Sequence, residues 1–166
     1  MAVELLVLLS RQELRVIEHG RVLRCYPVST ALNGPGEREN SGCTPRGWHR
    51  ISERFGDHSP ENAVFVGRQE TGEIYDQSLA QQYPKRDWIL SRILWLEGLE
   101  MGWNAGHSCD GKGCDSHARY IYIHGTPDTE PMGEPRSHGC IRMRNRDVME
   151  LFEQVSTGTQ VWIVED

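Results

Sequence analysis

Short apolar runs, separated by residues that favour turns, fill the first two thirds of the chain. Such runs are typical of β-strands. The pattern predicts strands at residues 3–9, 14–18, 22–28, 48–53, 63–66 and 88–95. His19 and Gly20, between the second and third runs, predict a tight hairpin turn, because Gly readily adopts the left-handed backbone conformation that such turns need.

Residues 120–124 read Tyr-Ile-Tyr-Ile-His and alternate strictly between two kinds of side chain. Since successive side chains of a strand point to opposite faces, Ile121 and Ile123 should lie on one face and Tyr122 and His124 on the other. His124 is therefore predicted to end a strand on its more polar face.

A helix is predicted near the C-terminus, followed by a closing strand at residues 159–164. Asn145 is the predicted N-cap, and Gly158 is predicted to end the helix. Apolar residues recur at helical spacing between them, at Val148, Leu151, Phe152 and Val155. The predicted fold is mainly β, with one short helix.

The composition indicates a single soluble domain over residues 1–166, with 37% hydrophobic and 25% charged residues. A net charge of -6 gives no reason to expect a nucleic-acid or anionic-membrane partner. The first apolar run is interrupted by Glu4 and lacks a basic start and a cleavage site, so it favours a strand over a signal peptide. If Met1 is the native start, the protein is expected in the cytoplasm, and the odd number of five cysteines fits such a reducing compartment. If the native protein instead carries a leader ahead of this sequence, the periplasm is the alternative.

Two segments rich in Gly, Ser, Asn and Pro, residues 33–45 and 101–116, lack periodicity and predict loops long enough to carry function. The second loop brings together residue types that suit zinc, namely His107, Cys109, Cys114 and His117. Their spacing is tighter than that of usual zinc sites, so a plain loop is the expectation, with zinc or a Cys109–Cys114 disulfide as alternatives. No metal or cofactor is predicted.

The candidate chemistry lies at Ser137-His138-Gly139-Cys140. A cysteine acts as a nucleophile only as a thiolate, which a nearby imidazole can generate, and His124 could serve as this base. Gly139 would permit a tight backbone whose N–H groups receive an oxyanion. Without its neighbours, Cys140 could equally be half of a metal site or a small buried thiol in a turn.

Four arginines lie within eleven residues around Cys140, namely Arg136, Arg142, Arg144 and Arg146. Arg144 and Arg146 are expected on a solvated face. Arg142 is two residues beyond Cys140, and hence on the same face of an extended chain. We expect Arg142 to hold a carboxylate of the substrate, which the guanidinium fork can orient.

The segments His124-Gly125-Thr126 and Ser137-His138-Gly139-Cys140-Ile141-Arg142 resemble the signature of the L,D-transpeptidase (YkuD-type) catalytic domain. Similarity extends over residues 10–16, 26–30, 44–51 and 119–126, and over the predicted helix and last strand, whereas residues 33–43 and 101–116 match poorly. The resemblance implies a sandwich-like β fold with long loops around the active site. It also implies that Cys140 is the nucleophile and His124 the general base, which the carbonyl of Gly125 orients. The pocket and oxyanion site would be formed by Ser137, His138, Gly139 and Arg142. Tyr122 and Arg136 would be further substrate contacts.

The resemblance also implies the substrate, which is the stem peptide of peptidoglycan. In such enzymes the thiolate attacks the carbonyl on the L-centre of diaminopimelate, D-alanine leaves, and a thioester remains for water or an amine. For a cytoplasmic protein we expect water as the acceptor, hence an L,D-carboxypeptidase that trims tetrapeptides during cell-wall recycling. The alternatives are a periplasmic L,D-transpeptidase that forms 3-3 cross-links and a peptidoglycan-binding module without turnover. Acylation by carbapenems is a further expectation.

Overall fold

The computed structural model describes residues 2–166, so Met1, on which the expectation about the native start depends, lies outside the described residues. Ten strands and two helices make up the described part of the chain. They are β1 (Glu4–Leu8), β2 (Glu13–Glu18), β3 (Arg21–Ser29), β4 (Gly47–Phe55), β5 (Ala63–Val66), β6 (Gln69–Ile74), α1 (Gln77–Gln82), β7 (Ile89–Gly98), β8 (Tyr122–Thr126), β9 (Ile141–Arg144), α2 (Asn145–Phe152) and β10 (Gln160–Val164). The prediction of a mainly β fold with a short helix near the C-terminus is confirmed.

The strands form one sheet that closes on itself. Its order is β4-β10-β1-β2-β3-β9-β8-β7-β5-β6, and an additional pairing between β4 and β7 completes a ring of eight strands. The pairs β1–β10 and β8–β9 are parallel, and the other pairs are antiparallel. The β5–β6 hairpin lies outside the ring, where β5 pairs with the first residues of β7. Closure removes the free edges of the eight ring strands, so that β6 remains as the edge strand of the sheet.

Side chains from opposite sides of the ring meet in one apolar core, which makes the cross-section sandwich-like. This core contains Leu5 and Val7 of β1, Leu94 and Leu96 of β7, and Ile163 of β10, each almost inaccessible to solvent. Helix α2 adds its own apolar face to the same core through Val148, Leu151 and Phe152. Burial of apolar area on this scale is the main driving force for such a domain.

A second, smaller apolar cluster lies on the outward face of β7 and β8. It consists of Ala63, Phe65, Ile93, Trp95 and Tyr122, with Cys140 packed against it. The β5–β6 hairpin contributes two of these residues, which explains why an otherwise exposed hairpin stays attached. The candidate nucleophile therefore sits beside an apolar wall that only this hairpin completes.

Two sequence predictions about α2 are wrong. Arg144, not Asn145, is the N-cap, and it makes no side-chain capping bond. The side chain of Asn145 is buried in a hydrogen-bond network instead of capping the helix. The helix also ends at Phe152, well before Gly158, although Val155 still packs into the core as its spacing suggested.

The sequence pattern also missed three elements and displaced one. Strand β6 is largely exposed and polar, α1 has six residues, and β9 has four, so none carries a strong periodic signal. The strand predicted at residues 120–124 begins at Tyr122, because Tyr120 adopts a positive φ of 57°. The hairpin turn at His19 and Gly20 is confirmed, with φ of 50° and 76°. Within residues 2–166, no helix has the length and apolar character needed to cross a membrane.

Candidate active site

The parallel pairing of β8 with β9 brings the two halves of the motif together. In its register, Ile123 is opposite Ile141 and His124 is opposite Arg142. The two isoleucines belong to the central core, so the neighbouring residues along each strand point to the outward face. His124 and Arg142 consequently share the face on which Tyr122 and Cys140 pack against each other.

The thiol of Cys140 is held between two backbone groups of the preceding segment. Its sulfur donates to the carbonyl oxygen of Tyr120 at 3.3 Å and accepts from the backbone N–H of Tyr122 at 3.4 Å. Burial of the sulfur, with a smaller contribution from the charge of Asp87, raises the pKa of the Cys140 thiol to about 11. The Tyr122 N–H and the positive charge of Arg142 lower the pKa without reversing the shift. The thiol is therefore protonated at neutral pH.

The ring of His124 is buried and has a defined tautomer. Its Nδ1 lies 2.7 Å from the carbonyl oxygen of Gly125, and since a carbonyl can only accept, Nδ1 carries the hydrogen. This leaves Nε2 with a lone pair. Burial lowers the pKa of His124, the bond to Gly125 opposes the shift, and Asp87 and Arg142 exert opposite electrostatic effects. The imidazole is thus a neutral base at neutral pH.

Asn145 fixes the backbone that carries this hydrogen bond. Its Nδ2 donates to the carbonyl oxygen of Thr126 at 2.9 Å, and its Oδ1 accepts from the Ser91 hydroxyl at 2.7 Å. A β carbon at Gly125 would meet the Leu90 carbonyl oxygen and Asn145 Oδ1, so this position requires glycine. The sequence predicted Asn145 as a helix cap. An Asn at the start of a helix has the same sequence pattern whether its side chain caps the helix or joins a buried hydrogen-bond network.

Gly139 adopts a backbone conformation that the turn before the nucleophile needs. Its φ is 135°, and a β carbon there would lie 3.1 Å from the Cys43 carbonyl oxygen. Ser137 closes the turn, because its hydroxyl donates to the Cys140 carbonyl at 2.6 Å and accepts from the Gly139 N–H at 3.2 Å. Thr44, from the first loop, donates to the Gly139 carbonyl at 2.9 Å.

The remaining predicted residues occupy different environments. Arg142 is buried, at 8% exposure, and its guanidinium donates to Asp87 at 3.3 Å. His138 is exposed at the rim of the site. Arg136 is also exposed, but it forms an ion pair with Glu134 at 2.9 Å and is not brought into contact with Cys140. Arg144 and Arg146 are exposed, as predicted.

The two long loops meet beside the site. An ion pair joins Arg38 of the first loop to Asp110 of the second at 2.7 Å, and the backbone N–H of Glu39 donates to the carbonyl oxygen of Gly113 at 2.9 Å. A cavity of about 500 Å³ opens between the first loop and the segment that precedes β8, and its lining residues include Glu39, Asn40, Arg119, Tyr120 and His138. The first loop therefore forms one wall of a space next to Cys140, and the second loop supports it from behind.

The second loop shows neither of the alternatives that the sequence left open. Cys109 and Cys114 are both free thiols, the first exposed and the second buried. Burial raises the pKa of the Cys114 thiol. In the described residues, no group of three or more His, Cys, Asp or Glu side chains is placed to hold a metal ion.

Comparison with known proteins identifies relatives of this fold. The family model described as the L,D-transpeptidase catalytic domain (YkuD) matches residues 2–163. A putative L,D-transpeptidase, YqjB, of Bacillus subtilis is 46% identical over 57 residues, which is 34% of this chain and 31% of that protein.

Solved structures are similar over almost the whole chain. The L,D-transpeptidase of Xylanimonas cellulosilytica superposes with a TM-score of 0.56 and 18% identity, covering 98% of this chain and 60% of that one. The LD transpeptidase LdtMt1 in complex with imipenem gives 0.55 and 18%, covering 98% and 59%. This chain thus spans less than two thirds of either, and identity at this level shows a shared fold.

Proposed function

The chain belongs to the family of L,D-transpeptidase catalytic domains, and from this membership we propose that it is a cysteine-dependent acyl-transfer enzyme acting on stem peptides of peptidoglycan. We propose water as its acceptor, which makes it an L,D-carboxypeptidase that releases the terminal D-alanine of a tetrapeptide during cell-wall recycling. The observation that carries this proposal is the placement of Cys140 and His124 on one face of the β8–β9 pair.

In the acylation step, the Cys140 sulfur attacks the carbonyl carbon on the L-centre of diaminopimelate. As it attacks, the thiol releases its hydrogen bond to the Tyr120 carbonyl and gives its proton to Nε2 of His124. Because the thiol pKa is raised and the imidazole pKa is lowered, this transfer accompanies attack and does not precede it as a stable ion pair. The carbon–nitrogen bond then breaks, and the His124 proton goes to the departing amine of D-alanine.

In the deacylation step, water attacks the thioester. Neutral His124 takes a proton from the water, the new carbon–oxygen bond forms, and the carbon–sulfur bond breaks. The proton returns to the Cys140 sulfur. The hydrogen bond from Nδ1 to the Gly125 carbonyl keeps Nε2 as the accepting nitrogen in both steps.

Charge on the tetrahedral oxygen needs donors that are already in place. The Gly139 N–H is used by the Ser137 hydroxyl, so we assign the backbone N–H of Cys140 as the principal oxyanion donor. Ser137 and Gly139 hold this N–H in position, and His138 forms the exposed rim. Arg142 and its partner Asp87 set the electrostatic field around His124 and Cys140.

The choice of water is supported by the shape of the space beside Cys140. The cavity of about 500 Å³ is lined by the first loop, by residues 118–121 and by His138, and an ion pair ties the first loop to the second. Such a volume is in the range that holds one small ligand. A cross-linking reaction needs room for a second stem peptide at the same thioester. The alternative, an L,D-transpeptidase that forms 3-3 cross-links, is favoured by the description of YqjB as a putative L,D-transpeptidase.

The test is incubation of the protein with purified disaccharide tetrapeptide in water enriched in oxygen-18. We expect a tripeptide that carries one heavy oxygen, free D-alanine, and no dimer. The Cys140→Ala variant is the control and should give no product. Abundant cross-linked dimers would replace the carboxypeptidase with the transpeptidase, and binding of the peptide without any conversion by the parent would indicate a module without turnover.

A further inference from the structure

Arg68 lies at the tip of the β5–β6 hairpin, next to the candidate active site. Its guanidinium carbon is 4.3 Å from the centroid of the Trp95 ring and 5.4 Å from that of Tyr120. Its Nη1 donates to the hydroxyl of Tyr122 at 2.9 Å. The sequence pattern did not single out this residue, because β6 was not predicted.

The aromatic residues hold this guanidinium in a defined place. Trp95 is stacked on His117, with ring centroids 3.8 Å apart and an interplanar angle of 12°. Since one face of the indole is covered by His117, Arg68 occupies the opposite face, and the three groups form a stack. An arginine held by stacking and one hydrogen bond loses little further freedom when it binds a ligand.

The positive charge of Arg68 has no ionic partner within residues 2–166. The other two cations near Cys140 are already engaged. Arg142 pairs with Asp87. Arg119 is half-buried and donates to the carbonyl oxygens of Cys43 and Gly36, at 2.6 Å and 3.4 Å. Arg68 is therefore a cation beside the site whose charge is unpaired and whose remaining N–H groups can bind an anion.

Two tyrosines connect Arg68 to the reactive sulfur. Tyr122 holds Arg68 through its hydroxyl and Cys140 through its backbone N–H. Tyr120 contacts Arg68 with its ring and Cys140 with its carbonyl oxygen. The guanidinium thus stands about one tyrosine side chain away from the sulfur, a distance that a short peptide spans.

We propose that Arg68 is a substrate-recognition residue that binds a carboxylate of the peptide whose carbonyl Cys140 attacks. The inference rests on the proposed function and adds a contact to it. A tetrapeptide stem offers three such carboxylates outside the reacting carbonyl: the terminal one on D-alanine, the distal one on diaminopimelate, and the α-carboxylate of the γ-linked D-glutamate. Each presents the planar pair of oxygens that a guanidinium binds with two parallel hydrogen bonds.

The test measures binding by calorimetry in the Cys140→Ala background, where turnover is absent. Four ligands are compared: the free tetrapeptide, and the peptides amidated at D-alanine, at the distal diaminopimelate carboxyl, or at the D-glutamate α-carboxyl. We expect Arg68→Gln to weaken binding of the free peptide about 10- to 100-fold, and Arg68→Lys to weaken it less. Amidation of the carboxylate that Arg68 holds should lower the affinity of the background protein by a similar factor. The same amidation should change the affinity of Arg68→Gln little, and this difference identifies the carboxylate.

A matched control is available at Arg86. It also stacks on aromatic rings, at 4.7 Å from the Trp88 centroid, but its charge is paired with Glu73 at 2.7 Å. Arg86→Gln should leave the affinity unchanged, and thermal unfolding should show that both variants are folded. Equal affinity of Arg68→Gln and the background protein, or a loss of affinity in Arg68→Gln that persists with all three amidated peptides, would overturn the inference and leave the proposed function intact. Failure of the background protein to bind any stem peptide would overturn both.

Discussion

Asn145 Oδ1 stands 2.5 Å from the position that a β carbon on Gly125 would occupy, while Nδ2 of the same residue holds the Thr126 carbonyl at 2.9 Å. Asn145 therefore packs closely against Gly125 and holds the next carbonyl along the chain, while the Gly125 carbonyl sets the tautomer of His124. A residue at the start of a helix thus orients the proposed general base.

Asn145→Ala should lower kcat about 10- to 100-fold and change KM little, since the substrate contacts remain while His124 loses its orientation. Steady-state kinetics on the tetrapeptide measures this split. Ser91→Ala, which removes one bond to Asn145 and leaves the contact with Thr126, is the control and should have a smaller effect. A parallel rise in KM with unchanged kcat would contradict the positioning role.

Cys140 should react slowly with a neutral thiol reagent at neutral pH. The ordinary pKa of a cysteine is 9.0, whereas burial raises that of Cys140 to about 11, so its thiolate fraction keeps rising with pH through the region in which an ordinary thiol levels off. The rate of iodoacetamide alkylation, followed by peptide mass spectrometry from pH 6 to pH 10, measures this. Exposed Cys25 in the same sample is the internal comparison. A plateau of the Cys140 rate near neutral pH would indicate a stable thiolate–imidazolium pair instead.

Gly139→Ala should abolish most activity and destabilise the fold by about 1–3 kcal/mol. The cause is the φ of 135° together with the contact at 3.1 Å between the new β carbon and the Cys43 carbonyl oxygen. Gly133→Ala is the matched control, because its φ is 86° but nothing lies within 4 Å of the added carbon. Urea unfolding and the tetrapeptide assay should show a loss of stability in both and a large loss of activity only in Gly139→Ala.

Acid should destabilise the protein through His49. Burial lowers the pKa of this histidine from 6.5 to about 4, and its ring bonds the Gly47 carbonyl and the Ser116 hydroxyl. Between pH 6.5 and about pH 4 the unfolded chain therefore binds more protons than the folded protein. The contribution of His49 to the free energy of unfolding is complete above pH 6.5 and is lost as the pH falls to about 4, by about 3 kcal/mol in all.

Urea unfolding at pH 7 and pH 4.5 measures this slope. His49→Gln should reduce it, whereas His58→Gln should not, because His58 is 97% exposed. The lowered pKa of His124 contributes in the same direction and accounts for part of the slope that remains. An unchanged slope in His49→Gln would show that another group controls acid stability.

Imipenem should acylate the protein once, because a strained lactam resembles the acyl donor and LdtMt1 has a structure in complex with this compound. Intact mass should rise by one adduct, and Cys140→Ala should remain unmodified. An adduct that persists in Cys140→Ala would assign the reaction to one of the other four cysteines.

The local sequence was sufficient to identify the elements and residues whose properties depend on near neighbours. Apolar runs predicted six of the ten strands near their observed bounds, and the alternation of residues 120–124 placed His124 on the face opposite Ile123. The His19-Gly20 turn follows from backbone preference alone. The motif around Cys140 likewise identified the candidate nucleophile and the histidine that could serve it.

Only the tertiary structure decided what depends on long-range contacts. The burial of Asn145 needs Ser91 from β7 and Thr126 from β8, and the stack that holds Arg68 needs Trp95 and His117 from distant segments. The pKa values of Cys140 and His124 depend in the same way on how completely their surroundings exclude water. Helix and strand patterns record the preferences of a few adjacent residues, whereas desolvation, charge pairing and side-chain networks arise from groups that meet only when the sheet closes.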